Sequence, residues 1–258
     1  MTDMTQSADC KTALVTGGTS GLGLAMAAAL AGAGVRVAVA GRSEERAAGA
    51  AAPLPGAFGV AMDVRDHGSV ASAVAAVWSR LGGIDLLVNN AGIGMRTVNP
   101  RFMTEPRGFW TVPADGFRDV IATNLTGYFL VAREVTPRML DAGGGRIVNI
   151  SMNHATMTRA GFVPYGPSRA GAESLSRIMA DDLRGTPVTV NMLLPGGATR
   201  TGMVPDEHAA GPRRLLEPEV MGPPIVWLAS AAAAGVTDER IVATEFGQWL
   251  AGQSKAGV

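Results

Sequence analysis

Residues 13–30 read "ALVTGGTSGLGLAMAAAL". An apolar run ends at Thr16, an Ala- and Leu-rich stretch begins after Gly23, and between them lie Gly17, Gly18, Thr19, Ser20, Gly21 and Leu22. A strand that enters a glycine turn and leaves it as a helix brings backbone N–H groups and a helix N-terminus up to a pyrophosphate. Gly17 permits the turn, Gly21 lets the backbone approach the phosphate, and Gly23 lets the helix pack on the strand.

The chain repeats this alternation. Strands are expected at Thr12–Thr16, Val35–Ala40, Ala57–Met62, Leu86–Asn89, Arg146–Ser151 and Val188–Leu194. Helices are expected at Leu22–Ala33, Ser43–Ala52, His67–Leu81, Asp115–Ala142, Tyr165–Leu183 and Glu217–Ala231. The strand runs are almost continuously hydrophobic, as parallel strands covered on both faces are. The expected fold is a single-domain, Rossmann-like α/β fold: one doubly wound parallel sheet with helices on both faces. The domain is expected over 11–258, behind a poorly ordered or disordered 1–10. Two segments break the rhythm: "IGMRTVNPRFMTEPRGFWTVPA" (93–114) and "GGATRTGMVPDEHAAGPRRLL" (196–216). Both follow strands on the ligand-binding side of such a sheet, and both read as substrate-loop insertions.

Composition narrows the function classes. The chain has 258 residues, 47% hydrophobic and 17% charged, enough for a large core. The 22 basic and 22 acidic residues balance, so no global field invites nucleic acid or an anionic membrane. Apolar runs are short and broken by glycine, and the first ten residues lack a signal-peptide pattern. A cytoplasmic, soluble protein is expected. Cys10 is the single cysteine, which rules out an internal disulfide and a cysteine metal cluster; no metal is expected. Lys11 and Lys255 are the two lysines among the 22 basic residues, a general preference for arginine.

The second strand leads into "VAVAGRSEER" (37–46). NAD binders place an acidic residue at the end of that strand to accept from the ribose 2′-OH. Here Gly41 and Arg42 stand there; Arg42 can pair with a 2′-phosphate in fork geometry, which favours NADP(H) over NAD(H).

Taken together, "TGGTSGLG" (16–23), "NNAG" (89–92), "TNLTG" (123–127), the helix opening at Tyr165 and "LLPGGATRTGM" (193–203) resemble a short-chain dehydrogenase/reductase over residues 11–245. The resemblance implies hydride transfer between a nicotinamide and a carbonyl or alcohol carbon. It implies that Asp63 and Val64 of "MDVRD" hold the adenine and that Asn90, Ala91 and Gly92 line the cofactor near the ribose. Pro195 and Gly196 would pass beside the nicotinamide, with Thr199 or Thr201 near its carboxamide. It also implies pairing of the Asp115–Ala142 and Tyr165–Leu183 helices in a homotetramer or homodimer.

The family's catalytic set is Asn, Ser, Tyr and Lys. Asn124 and Tyr165 match. The lysine is replaced by Arg169, one helical turn from Tyr165 in "PYGPSRAGAESLS" (164–176) and on the same face. Aligning "RIVNIS" (146–151) puts the serine on Met152, with Ser151 one residue early and facing the other way in extended chain. Ser151 and Asn153 are candidate replacements, and Met152, His154, Phe102 and Trp110 are candidate walls of the substrate pocket. Arg96, Arg101 and Arg107 are candidates for an anionic substrate group. Arginine supplies the fixed charge that favours an ionised phenol but does not readily release a proton, so a relay through the lysine amine is lost.

The leading reading is an NADP(H)-dependent oxidoreductase acting on a small-molecule carbonyl/alcohol pair. Two others stand beside it. One is a non-redox enzyme on the same fold, a lyase, isomerase or dehydratase that keeps the nucleotide, or a dehalogenase-like enzyme; halohydrin dehalogenases share the Tyr-to-Arg spacing but lack the glycine turn. The other is a nucleotide-binding protein with weak catalysis.

Overall fold

The computed structural model describes residues 9–204 and 215–256. Seven parallel strands make one sheet in the order β3-β2-β1-β4-β5-β6-β7. They are β1 Thr12–Thr16, β2 Arg36–Gly41, β3 Phe58–Ala61, β4 Leu86–Asn89, β5 Gly145–Ile150, β6 Val188–Leu194 and β7 Arg240–Val242. The helices are α1 Gly21–Gly32, α2 Glu44–Ala51, α3 His67–Leu81, α4 Ala114–Ile121, α5 Gly127–Asp141, α6 His154–Met157, α7 Tyr165–Asp182, α8 Gly222–Leu228 and α9 Phe246–Ala256.

Successive strand residues point to opposite faces, so the sheet feeds two cores. Ala13, Val15, Val37, Val39 and Val88 pack with Met26 and Leu30 of α1 and with Ile225 and Trp227 of α8. Leu14, Ala38, Leu87 and Ile147 pack with Val74 of α3, Val135 of α5 and Ala180 of α7. Both faces are thus covered, which is why the strands read as continuous apolar runs. Cys10 lies beneath β1, where burial pushes its thiol up to about 11.

The structure departs from the expected elements in three places. The helix expected over Asp115–Ala142 is interrupted: α4 ends at Ile121, a wide π turn spans Ala122–Thr126, and α5 follows. The seventh strand was not expected, because Asp238, Glu239 and Arg240 around it are charged. Its backbone nevertheless pairs Ile241 with Leu193, and α9 follows. The helix expected at Glu217–Ala231 shortens to α8 behind a 3-10 turn at Pro218–Met221. The expected disorder of 1–10 lies mostly outside the described residues; Asp9 and Cys10 donate their backbone N–H groups to the Ala229 carbonyl at 2.9 Å. The 196–216 segment is described except for 205–214. Among the described residues no helix is long and apolar enough to cross a membrane.

At the glycine turn, Gly17 has φ +61° and Gly21 φ +53°, backbone that favours glycine. A Cβ on Gly23 would collide with the Gly17 carbonyl and the Asn90 amide. Gly23→Ala is therefore expected to cost about 1–3 kcal/mol by over-packing, read as a lowered midpoint in denaturant unfolding with an unchanged slope.

Candidate active site and dinucleotide cleft

A cleft of about 1610 Å³ lies along the C-terminal edge of the sheet, from the glycine turn and β2 at one end to Tyr165 and Met203 at the other. Its first end is built from backbone. Helix α1 starts at Gly21; Ser20 makes no side-chain cap, and no acidic residue lies in the first turn. The leading N–H groups are thus left to an anion. Thr19, Ser20 and Leu22 join Gly17 and Gly21 in the wall, whereas Gly23 sits behind it as a packing residue.

Arg42 lines the β2 end, as expected, and Arg46, four residues on, lines it too. Ser43 Oγ caps α2 by accepting from the Arg46 N–H at 3.3 Å. Asp63 and Val64 line the same end. The Asp63 carboxylate is held by Arg65 at 2.7 Å, and that hydrogen bond keeps its carboxyl below the usual range. Asn90, Ala91 and Gly92 form the middle of the cleft, and Pro195, Gly196, Thr199 and Thr201 form the far wall. Thr199 Oγ1 donates to the Gly197 carbonyl, while the Thr201 side chain packs close to Gly21.

Asn124 does not line the cleft; it braces the wall. In the π turn its side chain accepts from the Ile93 N–H at 2.9 Å and donates to the Ile93 carbonyl and Ser168 Oγ, both at 3.0 Å. The extra residue in that turn aims Asn124 at the strand end, a signal invisible to a 3.6-residue pattern.

Tyr165 opens α7 and lines the cleft; its hydroxyl lies 4.0 Å from the Met203 sulfur, a weak acceptor, and the phenol also interacts with the Arg169 guanidinium. Arg169 is 3% exposed. Its guanidinium centre lies 5.3 Å from the Tyr165 ring centroid and 5.5 Å from that of Tyr128. Nη1 donates to Tyr128 Oη at 2.6 Å and to the Ile150 carbonyl at 2.9 Å.

The other candidates divide. Met152 lines the cleft, and its carbonyl accepts from Arg240 at 2.7 Å. Asn153 also lines it but donates its amide to the Gly196 carbonyl at 3.0 Å, tying the segment after β5 to the start of the 196–216 loop. Ser151 touches the cleft, yet its hydroxyl donates to the Glu173 carboxylate, so it does not stand in for the missing serine. His154 is corrected: its Nε2 is 2.9 Å from Glu173 and its side chain is 67% exposed, away from the pocket. Trp110 is corrected as well. It is 77% exposed and stacks edge-on with Phe109 at the surface. The loop's apolar side is already taken by Phe102, which packs edge-on with Phe162 at 5.6 Å and with Met95. Arg96 donates to the Gly202 carbonyl and Arg101 pairs with Glu105, and neither is among the residues that line the cleft. Trp249 packs on Trp227 and Phe246, clear of the cleft. The residues not singled out beforehand are Arg46, Phe162, Met203 and Tyr128. Arg46 and Tyr128 each lie four residues past a flagged position, the only local signal available.

The short chain dehydrogenase family model matches residues 11–210. The chain is 35% identical over 252 residues to D-threitol dehydrogenase of Mycolicibacterium smegmatis, covering 91% of each. Gluconate 5-dehydrogenase from Burkholderia cenocepacia, solved with NADP and tartrate, superposes with a TM-score of 0.82 at 26% identity, covering 95% of this chain and 98% of that one. The 3-ketoacyl-(acyl-carrier-protein) reductase of Brucella melitensis, solved with NADH, gives 0.79 at 27%, covering 90% and 96%. The chain belongs to the short-chain dehydrogenase/reductase family; the relatives named here are dehydrogenases and a reductase, two of them solved with a nicotinamide nucleotide.

Glu173 is buried and accepts from Ser151, His154 and Arg240, the last at 2.8 Å. Burial pushes its carboxyl up, but these three partners outweigh it and hold the group below the ordinary value of 4.5. A carboxyl depressed in the folded state contributes stability above its unfolded value and loses it as pH falls through the folded one. Glu173→Gln is thus expected to melt lower than wild type at neutral pH, with the gap closing below pH 4.5. Thermal scans of both proteins across that range check it.

Proposed function

We propose that the protein is an NADP(H)-dependent oxidoreductase that moves a hydride between the nicotinamide and a carbonyl or alcohol carbon. Tyr165 is its acid/base and Arg169 the charged neighbour. The observation that carries this reading is that Tyr165, with the Arg169 cation beside it, opens into the same cleft as the bare N-terminus of α1. The residues suit a dinucleotide: Gly17 and Gly21 line the cleft with backbone alone, and their lack of a side chain lets them sit against the Ala91 backbone and Thr201, while a side chain at Gly92 would strike the Arg169 guanidinium.

When bound, the nicotinamide supplies or takes up the hydride. The chain does the rest. In reduction, Tyr165 gives its proton to the substrate oxygen; in oxidation it takes one. Arg169 offsets the negative charge that develops on the phenol oxygen and, always charged, does not pass the proton onward. With Ser151 spent on Glu173 and Met152 beside the oxygen's place, Tyr165 addresses that oxygen without a serine. Loss of one such donor costs about 10²–10³ in rate, so turnover is slow for the family. Met95, Phe102, Met103, Met152, Phe162 and Met203 wall the far end. An apolar, methionine-rich surface deforms to fit its guest, which supports a substrate with a sizeable apolar body.

Arg42 and Arg46, with no carboxylate ending β2, support NADP(H); relatives solved with NADP and with NADH both occur. Exposed Phe117, Phe129 and Ile178 on α4, α5 and α7 support a homo-oligomer paired through those helices. The absent serine and the arginine at 169 also suit a non-redox reaction at Tyr165 on the same nucleotide-binding frame.

Titration of the purified protein with NADPH and NADH, followed by nicotinamide fluorescence, tests the cofactor. Arg42→Ala is expected to weaken NADPH about 10- to 100-fold, the loss of one charged hydrogen bond, and to leave NADH within about 3-fold. No binding of either nucleotide to folded protein would defeat the reading. Tyr165→Phe is expected to lower kcat for a ketone reduced by NADPH about 10²–10⁴-fold while nucleotide binding persists; a rate equal to wild type would remove Tyr165 from the chemistry.

A further inference from the structure

Arg169 is a buried cation without a carboxylate partner among the described residues. Its charge is instead shared among neutral oxygens and ring faces. Nη1 is used twice, by Tyr128 Oη and the Ile150 carbonyl. Nε is buried and finds no acceptor among the described residues. Nη2 is the nitrogen that a side chain at Gly92 would strike, so it faces the middle of the cleft.

Tyr128 is what makes that division of labour definite. It lies on α5, 1% exposed, and its hydroxyl donates to the same Ile150 carbonyl at 3.2 Å while accepting from Nη1. Arginine, phenol and carbonyl therefore close a three-cornered hydrogen-bond ring. The Tyr128 and Tyr165 rings flank the guanidinium. A planar group on a flexible stem can tilt or shift its plane relative to the cleft, and hydrogen bonds that hold one terminal nitrogen restrict where the other is presented. A lysine head has no second arm to park.

We infer that Tyr128 is a positioning residue for Arg169: it holds Nη1 at the β5 end so that Nη2 is presented at Gly92, beside Tyr165. The inference rests on the reading of Tyr165 and Arg169 as reaction residues. It also makes residues 128 and 169 a coupled pair.

The test is a cycle of Tyr128→Phe, Arg169→Lys and both together, with Tyr128→Phe also placed on Arg169→Met. Phenylalanine keeps the ring and removes one oxygen. With NADPH and a reducible ketone, Tyr128→Phe is expected to lower kcat about 10- to 100-fold, the scale of a misplacement near 1 Å, with KM within about 3-fold. On the Arg169→Lys protein the same change is expected to move kcat by less than about 3-fold, because no second arm needs holding. Equal losses in both backgrounds, or no loss in either, would overturn the inference, since a purely structural role ignores the residue at 169. A second arm needs no turnover. Tyr128→Phe removes two hydrogen bonds in the Arg169 protein but only the one to the Ile150 carbonyl on Arg169→Met, so it is expected to lower Tm by about 2–4 °C more in the first background than in the second. Equal shifts, or misfolding in both backgrounds, count against the clamp. If wild type transfers no hydride, the oxidoreductase reading falls, and the melting cycle alone decides whether Tyr128 holds Arg169.

Discussion

The Asn90 side chain ties the first turn of the chain to the end of β4. Its amide donates to the carbonyls of Thr16 and Gly17 at 3.0 and 3.1 Å, and its own N–H and that of Ala91 bind Thr16 Oγ1. These four bonds fix the distance between two strands just where they stop pairing. The glycines follow from this closeness: Gly17 sits against the Ala91 backbone, and Gly23 has the Gly17 carbonyl and the Asn90 amide at its Cα. The open end of α1, the floor of the cleft and the location of Arg169 against Gly92 all take their positions from that junction.

Inside this frame, buried polar groups are settled by neighbours from distant parts of the chain. Asn89 donates to Asn149 across the sheet, and Asn149 donates to Ser176 on α7. Glu173 gathers Ser151 and His154 from the stretch after β5 and Arg240 from β7. Burying a charge is costly unless it is paired and hydrogen-bonded, and Glu173 meets that demand with the very hydroxyl nearest the family's serine position. Substrate chemistry and internal satisfaction thus compete for one side chain, and the interior takes it. Arg169 meets the same demand differently, through a phenol, a carbonyl and two ring faces.

What the sequence made legible was local. Strand, glycine turn and helix in 13–30 are set by neighbouring residues, and alternation of apolar runs and helical stretches determined sheet type and the positions of β1 to β6. Gly17, Arg42, Asp63, Asn90 and Pro195 line one cleft because each follows closely on a strand. The losses have a common origin in tertiary contact. β7 was hidden because Glu239 and Arg240 are charged, yet both are committed by the fold, to Trp249 and to Glu173. The π turn differs from an α-helix by one residue and leaves no compositional trace. Phe102 and Trp110 look alike as loop aromatics; only the packing of Phe162 decides that one turns in and the other out. The tie between Tyr128 and Arg169 spans 41 residues, and no spacing rule reaches that far.

Cys10 has a consequence for handling the protein. Its sulfur is covered beneath β1 and kept protonated, so it presents no thiolate to attack a reagent or a second chain. Air oxidation has nothing to work on while the fold is closed. Because it is the chain's single thiol, an alkylating probe reacts at one place, and it does so when the residues before β1 come away from the Ala229 carbonyl and uncover the sulfur. The rate of that labelling is a built-in gauge of how often the edge of the core opens.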